Sequence, residues 1–211
     1  MKRMLLAVFC VAMSPMNTWA SGLQDLEVFV KTVKSGKADF VQTVTSPAKD
    51  GQAPRVKTSS GQFEFARPNR FKFTYVKPFA QTILADGQTL WLYDQDLNQV
   101  TARKQAQVLG STPAALIASA PDINALKGDF ELTAQPVSEG LEWVLATPKT
   151  KDGQLHSVRI GFKAGQLDVL EILDSFGQKS TLRFTTLRAN GPVDASTYQF
   201  KPPAGSDVIH Q

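Results

Sequence analysis

From Ala38 almost to the C-terminus the hydrophobic pattern of this chain has a period of two, cut into short pieces by glycine turns. Phe40, Gln42 and Val44 alternate with Val41, Thr43 and Thr45. Phe63 and Phe65 share a face, as do Phe71, Phe73 and Tyr75, with Arg70, Lys72 and Thr74 on the other side. Similar short strands are expected at about residues 80–85, 88–94, 97–103, 130–137, 141–147, 155–163, 167–174, 179–188 and 197–201. The dipeptide Gly-Gln recurs at 51, 61, 87, 153, 165 and 177, three times as Asp-Gly-Gln. Glycine supplies the positive φ of tight hairpin turns and a preceding Asp fits the same geometry, so each dipeptide reads as a turn. Such a chain builds an antiparallel sheet in hairpin order. The strands between the turns are not self-similar, which argues against internal duplication.

Helical spacing is found in two places. Leu23, Leu26, Phe29, Val30 and Val33 predict an amphipathic helix ended by Ser35-Gly36. In mid-chain, Thr112-Pro113 has the form of an N-cap and first helical position, followed by Ala114, Ala115, Leu116, Ile117 and Ala118. Pro121-Asp122 starts a second short piece running to about Leu126. A long antiparallel sheet must curl, close or be covered. The expected fold class is therefore mainly β with α: a strongly curved antiparallel sheet, an open half-barrel, with helices on its concave face.

The first residues stand apart. Lys2 and Arg3 precede an apolar run from Leu5 to Met13, and Thr18-Trp19-Ala20 places small residues at positions −3 and −1 of a cut. This is the order of a secretory signal peptide, and the run is too short to span a bilayer. Residues 1–20 are expected to be removed and 21–211 to form one domain. A lipidated N-terminus at Cys10 fits poorly, because bulky Phe9 stands where such a signal needs a small residue. Cleavage removes that cysteine, the only one of the 211-residue chain, and leaves 21 basic against 19 acidic residues, a net charge of +2. That balance gives no electrostatic case for nucleic acid. No later stretch holds 18 apolar residues, so an exported, soluble protein is expected.

Little in the sequence asks for catalysis. His156 and His210 are the only histidines, and no thiol survives cleavage. No G-x-S-x-G, H-E-x-x-H, Walker or G-x-G-x-x-G pattern occurs. Asp94-x-Asp96-x-Asn98 resembles the start of a calcium loop, but Gln99 stands where the turn needs glycine and Gln105 where a bidentate Glu is needed. It reads better as a hairpin end. No enzyme, cofactor or metal is expected. What remains is apolar surface, with 12 Phe, 2 Trp and 3 Tyr after cleavage. Periodicity leaves open whether these fill a core or line a cavity for an apolar ligand, since both use the same residues.

Four stretches in order resemble the LolA family of periplasmic carriers that move lipoproteins to the outer membrane. They are the block Gly61-x-Phe63-x-Phe65-x-Arg67-Pro68-Asn69-Arg70-Phe71-x-Phe73-x-Tyr75, the run through Pro78 and Leu84 into DGQTLWLYD at Asp86–Asp94, STPAALIA at Ser111–Ala118, and Val193-Asp194 through Phe200 to Pro202-Pro203-x-Gly205. Residues 97–160 carry little of the resemblance. It implies an open antiparallel barrel with a helical lid and a cavity for acyl chains. It also implies three kinds of partner: acylated lipoproteins, an ATP-driven inner-membrane complex that releases them, and an outer-membrane acceptor. The localisation implied is the periplasm, and a monomer is the default.

The resemblance also implies roles for particular residues. Arg67 matches the arginine that latches the lid through backbone carbonyls, and a guanidinium, with five donors, can bind several carbonyls without a carboxylate. Pro68 biases Arg67 toward extended backbone. Phe40, Val44, Phe71, Phe73, Leu84, Leu116 and Ile117 are carried over as the cavity wall, the last two from the lid. Ala114 and Ala115 are smaller than the position can carry in relatives, which implies a shallower lid contact. Arg70, Lys72 and Lys77 form a basic stripe that suits either a solvated face or a docking surface. The alternative in the binding class is a lipid- or lipoprotein-sensing periplasmic protein of the same fold, although such proteins usually add a second domain. An outer-membrane acceptor would itself need a small-residue-Cys cleavage site.

Overall fold

The computed structural model describes residues 22–48, 51–108, 113–118, 120–150 and 153–211. The expected signal peptide, and Thr112 as an N-cap, lie outside them. Period-two alternation becomes twelve strands of one sheet. The first six are β1 (Ser35–Ser46), β2 (Arg55–Ala66), β3 (Arg70–Lys77), β4 (Gln81–Ala85), β5 (Thr89–Asp94) and β6 (Gln99–Lys104). After a helical interruption come β7 (Phe130–Ser138), β8 (Leu141–Pro148), β9 (Leu155–Lys163), β10 (Gln166–Asp174), β11 (Lys179–Ala189) and β12 (Asp207–His210). Their order is β12-β6-β5-β4-β3-β2-β1-β11-β10-β9-β8-β7. Two hairpin runs are thus joined by the long-range pairing of β1 with β11, and the sheet stays open between β12 and β7.

One face carries the aromatic residues. Across the register Phe63 stands opposite Phe73 and Phe65 opposite Phe71, while Phe40 faces Phe184 on β11. Phe63 stacks on Phe73 at 4.4 Å between ring centroids, and Phe40 meets Phe73 edge-on at 5.5 Å. Burying each such ring contributes about 2–3 kcal/mol by area. The helices lie against this face. Helix α1 (Gly22–Thr32) buries Leu26, Phe29 and Val30, the face its spacing predicts. Helix α3 (Pro113–Ala118) brings Leu116 and Ile117 into the same core. Helix α4 (Ile123–Asp129) starts at Asp122, whose carboxylate accepts from the Asn124 and Ala125 amides at 2.9 Å. An additional one-turn helix, α2 (Gln105–Val108), follows β6 directly and has no counterpart in the sequence expectations.

Two expectations are corrected. Residues 197–201 are not a strand. Asp194 accepts a bond from the Ser196 amide and starts a short 3-10 turn, Ala195–Tyr198, and Pro202-Pro203 cannot donate to a ladder. The alternation of Tyr198 and Phe200 instead serves packing on the outer face, where Phe200 stacks on Trp91 at 5.1 Å and the Arg70 guanidinium lies over Tyr198. The final strand is β12, which joins β6 in parallel.

The second correction concerns Gly61. Gly51, Gly87, Gly165 and Gly177 adopt the positive φ expected of turns, but Gly61 lies inside β2 at a register shift against β3. A Cβ there would stand 2.0 Å from the Thr74 carbonyl oxygen, so glycine marks a close approach of two backbones. Gly61→Ala should therefore lower stability by about 3 kcal/mol. Gly128→Ala, on α4 with open space around it, should raise stability by about 0.5–1 kcal/mol. Urea unfolding midpoints of the two variants check the contrast.

Candidate functional site

The end of α1 leaves carbonyls without helical partners, as every helix does. Here they are taken by side chains and backbone from elsewhere. The Thr32 carbonyl accepts from Asn190 Nδ2 at 2.9 Å, Val33 from Arg67 Nε at 2.8 Å, and Lys34 from the Arg67 backbone amide at 2.8 Å. The same short segment reaches the end of α3. Arg67 Nη1 donates to the Ala120 carbonyl at 2.8 Å, and the Asn69 amide to that of Ala118 at 3.1 Å. Arg67 thus ties α1, the β2–β3 turn and the residues after α3 together through main-chain oxygen.

Its environment is mostly apolar. Arg67 is 9% exposed, and its guanidinium carbon lies 5.7 Å and 5.5 Å from the ring centroids of Phe29 and Phe65. None of the ion pairs among the described residues involves it, and Nη2 has no partner there. Burial lowers its pKa from the ordinary arginine range to about 10, which keeps it a cation at neutral pH.

The concave face gathers six of the seven expected wall residues. Phe40, Phe71, Phe73, Leu116 and Ile117 belong to one buried core, with no more than 6% exposure. Val44 lies on the same face, half-buried, nearer the turn ends of the strands. There it borders a cavity of about 490 Å³ shared with Gln42, Lys57 and Tyr75. Leu84 is a correction. It pairs with Lys72 and Trp91, whereas Ile83 pairs with Phe73, so Leu84 points to the opposite face. Its burial comes from the sheet's other side, the face that carries Trp91 and receives Phe200. The concave residues of β4 are Gln81, Ile83 and Ala85, the last two apolar.

Other residues at the site gave no sequence signal. Gln105, 1% exposed, donates to the Asn69 carbonyl at 2.6 Å and accepts from the Gly87 amide at 2.9 Å, bracing the turn that holds Arg67. Asn190 is 156 residues away from Lys34, whose amide it accepts at 2.7 Å. Both are polar residues whose partners are main-chain groups distant in sequence, which no spacing rule finds. Arg70 and Lys72 lie on the outer face, half-buried, and Lys77 is exposed at the end of β3. Asp94 and Asn98 form the β5–β6 turn, with the Leu97 amide donating to Asp94 at 3.1 Å. Among the described residues no group of three or more His, Cys, Asp or Glu comes together to hold a metal. The side chains of Ala114 and Ala115 lie outside the described set.

Comparison with known proteins agrees with this geometry. Residues 31–201 match the family described as outer membrane lipoprotein carrier protein LolA. An outer-membrane lipoprotein carrier protein of Albidiferax ferrireducens is 64% identical over 209 residues, covering 97% of this chain and 98% of its own length. A relative of the same description from Methylibium petroleiphilum is 48% identical, covering 99% and 98%. Among solved structures, a LolA superfamily protein from Nitrosomonas europaea superposes with a TM-score of 0.51 at 12% identity, over 84% of this chain and 96% of the other. The open curved sheet, the helices on its concave face and these matches lead to one assignment: the chain belongs to the LolA family of outer-membrane lipoprotein carrier proteins.

Proposed function

We propose that this protein shields the acyl chains of lipoproteins released from the inner membrane and hands them to an outer-membrane acceptor, with Arg67 latching the α3–α4 segment as a lid. Residues 1–20 act as a signal peptide that sends the chain to the periplasm, and 21–211 work as one carrier domain. Loading comes from an ATP-driven inner-membrane complex. The observation that carries the reading is the buried Arg67, bonded to carbonyls after α1 and after α3 over an aromatic face.

The physical need is plain. Each buried methylene is worth about 0.8 kcal/mol, so fatty chains do not cross water unshielded. A carrier must also let go. Here the interior is filled by its own Phe rings. Acyl chains enter where Phe40, Phe71 and Phe73 now meet Leu116 and Ile117, and the lid must move to admit them. Every unit of free energy needed to open the lid is subtracted from cargo affinity, which makes delivery possible.

Purified protein added to spheroplasts making a labelled outer-membrane lipoprotein should release it as a soluble one-to-one complex. A folded protein that releases none would contradict carriage. Arg67→Leu removes charge-assisted bonds worth about 1.5–3 kcal/mol each while also sparing a desolvated cation. The variant should fold, release lipoprotein, hold it at least about tenfold more tightly and fail to pass it to acceptor membranes. Normal transfer by the variant would remove Arg67 as the latch.

A further inference from the structure

Beyond the aromatic core, toward the turn ends of β1, β2 and β3, the concave face changes character. Tyr75 is the last ring of the series, 5.1 Å from Phe40 and 6.2 Å from Phe73. Its hydroxyl donates to Gln42 Oε1 at 3.0 Å, and Gln42 Nε2 donates to Ser180 Oγ at 2.8 Å. Burial pushes the Tyr75 phenol up to about 12, so it stays an uncharged donor. This belt of hydroxyl and amide groups crosses the face from β3 to β11. It borders the 490 Å³ cavity, whose wall also holds Ser59, Lys57, Asp94 and Asp96. Lys57 Nζ lies 5.3 Å from the centroid of the Phe79 ring, and the described residues of the wall hold this one cation with two carboxylates.

We infer that this trough is the subsite for the uncharged ester linkages of a diacylglycerol group, and that Asp94 and Asp96 make it reject anionic phospholipids. The inference rests on the carriage reading and adds to it a basis for choosing cargo. Alkyl chains seated among Phe40 and Phe73 place the carbonyls that join them to glycerol beside the belt. An ester carbonyl only accepts; the second Nε2 proton of Gln42 and the Ser59 and Ser180 hydroxyls can donate to it, while Tyr75, whose proton goes to Gln42, holds that amide in orientation. A phosphate at the same depth brings negative charge next to two carboxylates, with Lys57 the one cation among the described residues of the wall. Lipoproteins and membrane phospholipids share acyl chains, so a purely apolar cavity could not tell them apart. Discrimination has to come from the head group.

The test uses purified protein, a fluorescent acyl probe and three soluble competitors at low ionic strength: dioctanoylglycerol, its dioctyl ether and dioctanoyl phosphatidic acid. The diester should compete at least about tenfold better than phosphatidic acid and several-fold better than the diether. Asp94→Asn with Asp96→Asn, which keeps the side-chain oxygen that accepts from Leu97, should improve phosphatidic acid and leave the diester unchanged. Tyr75→Phe, which removes the bond that orients the Gln42 amide, should narrow the gap between diester and diether. Equal competition by all three in the wild-type protein overturns the subsite and leaves carriage standing. So does an equal shift of diester and phosphatidic acid in the double variant. A folded protein that binds neither probe nor competitor overturns carriage and the subsite together.

Discussion

A buried guanidinium facing carbonyl oxygens, with no carboxylate paired to it among the described residues, is the contact on which the rest of this molecule turns. Taking the charge of Arg67 out of water costs several kcal/mol, and its bonds to Val33 and Ala120 offset much of that. In an open arrangement water would solvate both the cation and the carbonyls. The two states would then differ by a small remainder of large terms, which suits the reversible closure proposed for this segment. A buried ion pair at the same place would leave two charges to separate, and an all-apolar contact would leave no donor geometry to define one closed position.

The sheet supplies the other half. Twelve strands curve around α1, α3 and α4, and the aromatic residues of β1, β2 and β3 fall on the inner face because their spacing is two. The outer face is covered differently, by the segment that returns after β11 and lays Tyr198 and Phe200 over Arg70 and Trp91. That segment ends by adding β12 to β6, which pairs an edge that would otherwise be free. The inner face is left as the one whose cover consists of short helices, and short helices are held by few contacts.

Much of this was legible in the chain. Strict alternation located most of the strands to within a residue or two, though not β12 or the first half of β2, and the turn glycines marked most of the hairpins. The family resemblance carried by the motif around Arg67 and Pro68 pointed to a residue whose bonds run to carbonyls near two helices. Legibility failed where a pattern has two physical causes. Gly61 looks like a turn glycine, yet it is there for backbone contact with Thr74. Tyr198 and Phe200 alternate like a strand and pack like a cover. Leu84 lies in a strand buried on both faces, where hydrophobicity alone does not choose a side. Asn190 and Gln105 act on main-chain groups far away in sequence, so only the folded chain brings their partners into view.

The direct test of the proposed latch is hydrogen exchange, read at the amides of α4 and of Asn69, whose amide donates to the Ala118 carbonyl beside the Arg67 bonds. In Arg67→Leu these amides should exchange at least about tenfold faster than in the wild-type protein, while those pairing β1 with β2 and β11 stay unchanged. Acceleration spread evenly over the sheet would mean that Arg67 merely stabilises the fold. No acceleration at α4 or Asn69 would mean that Arg67 does not hold this segment in place.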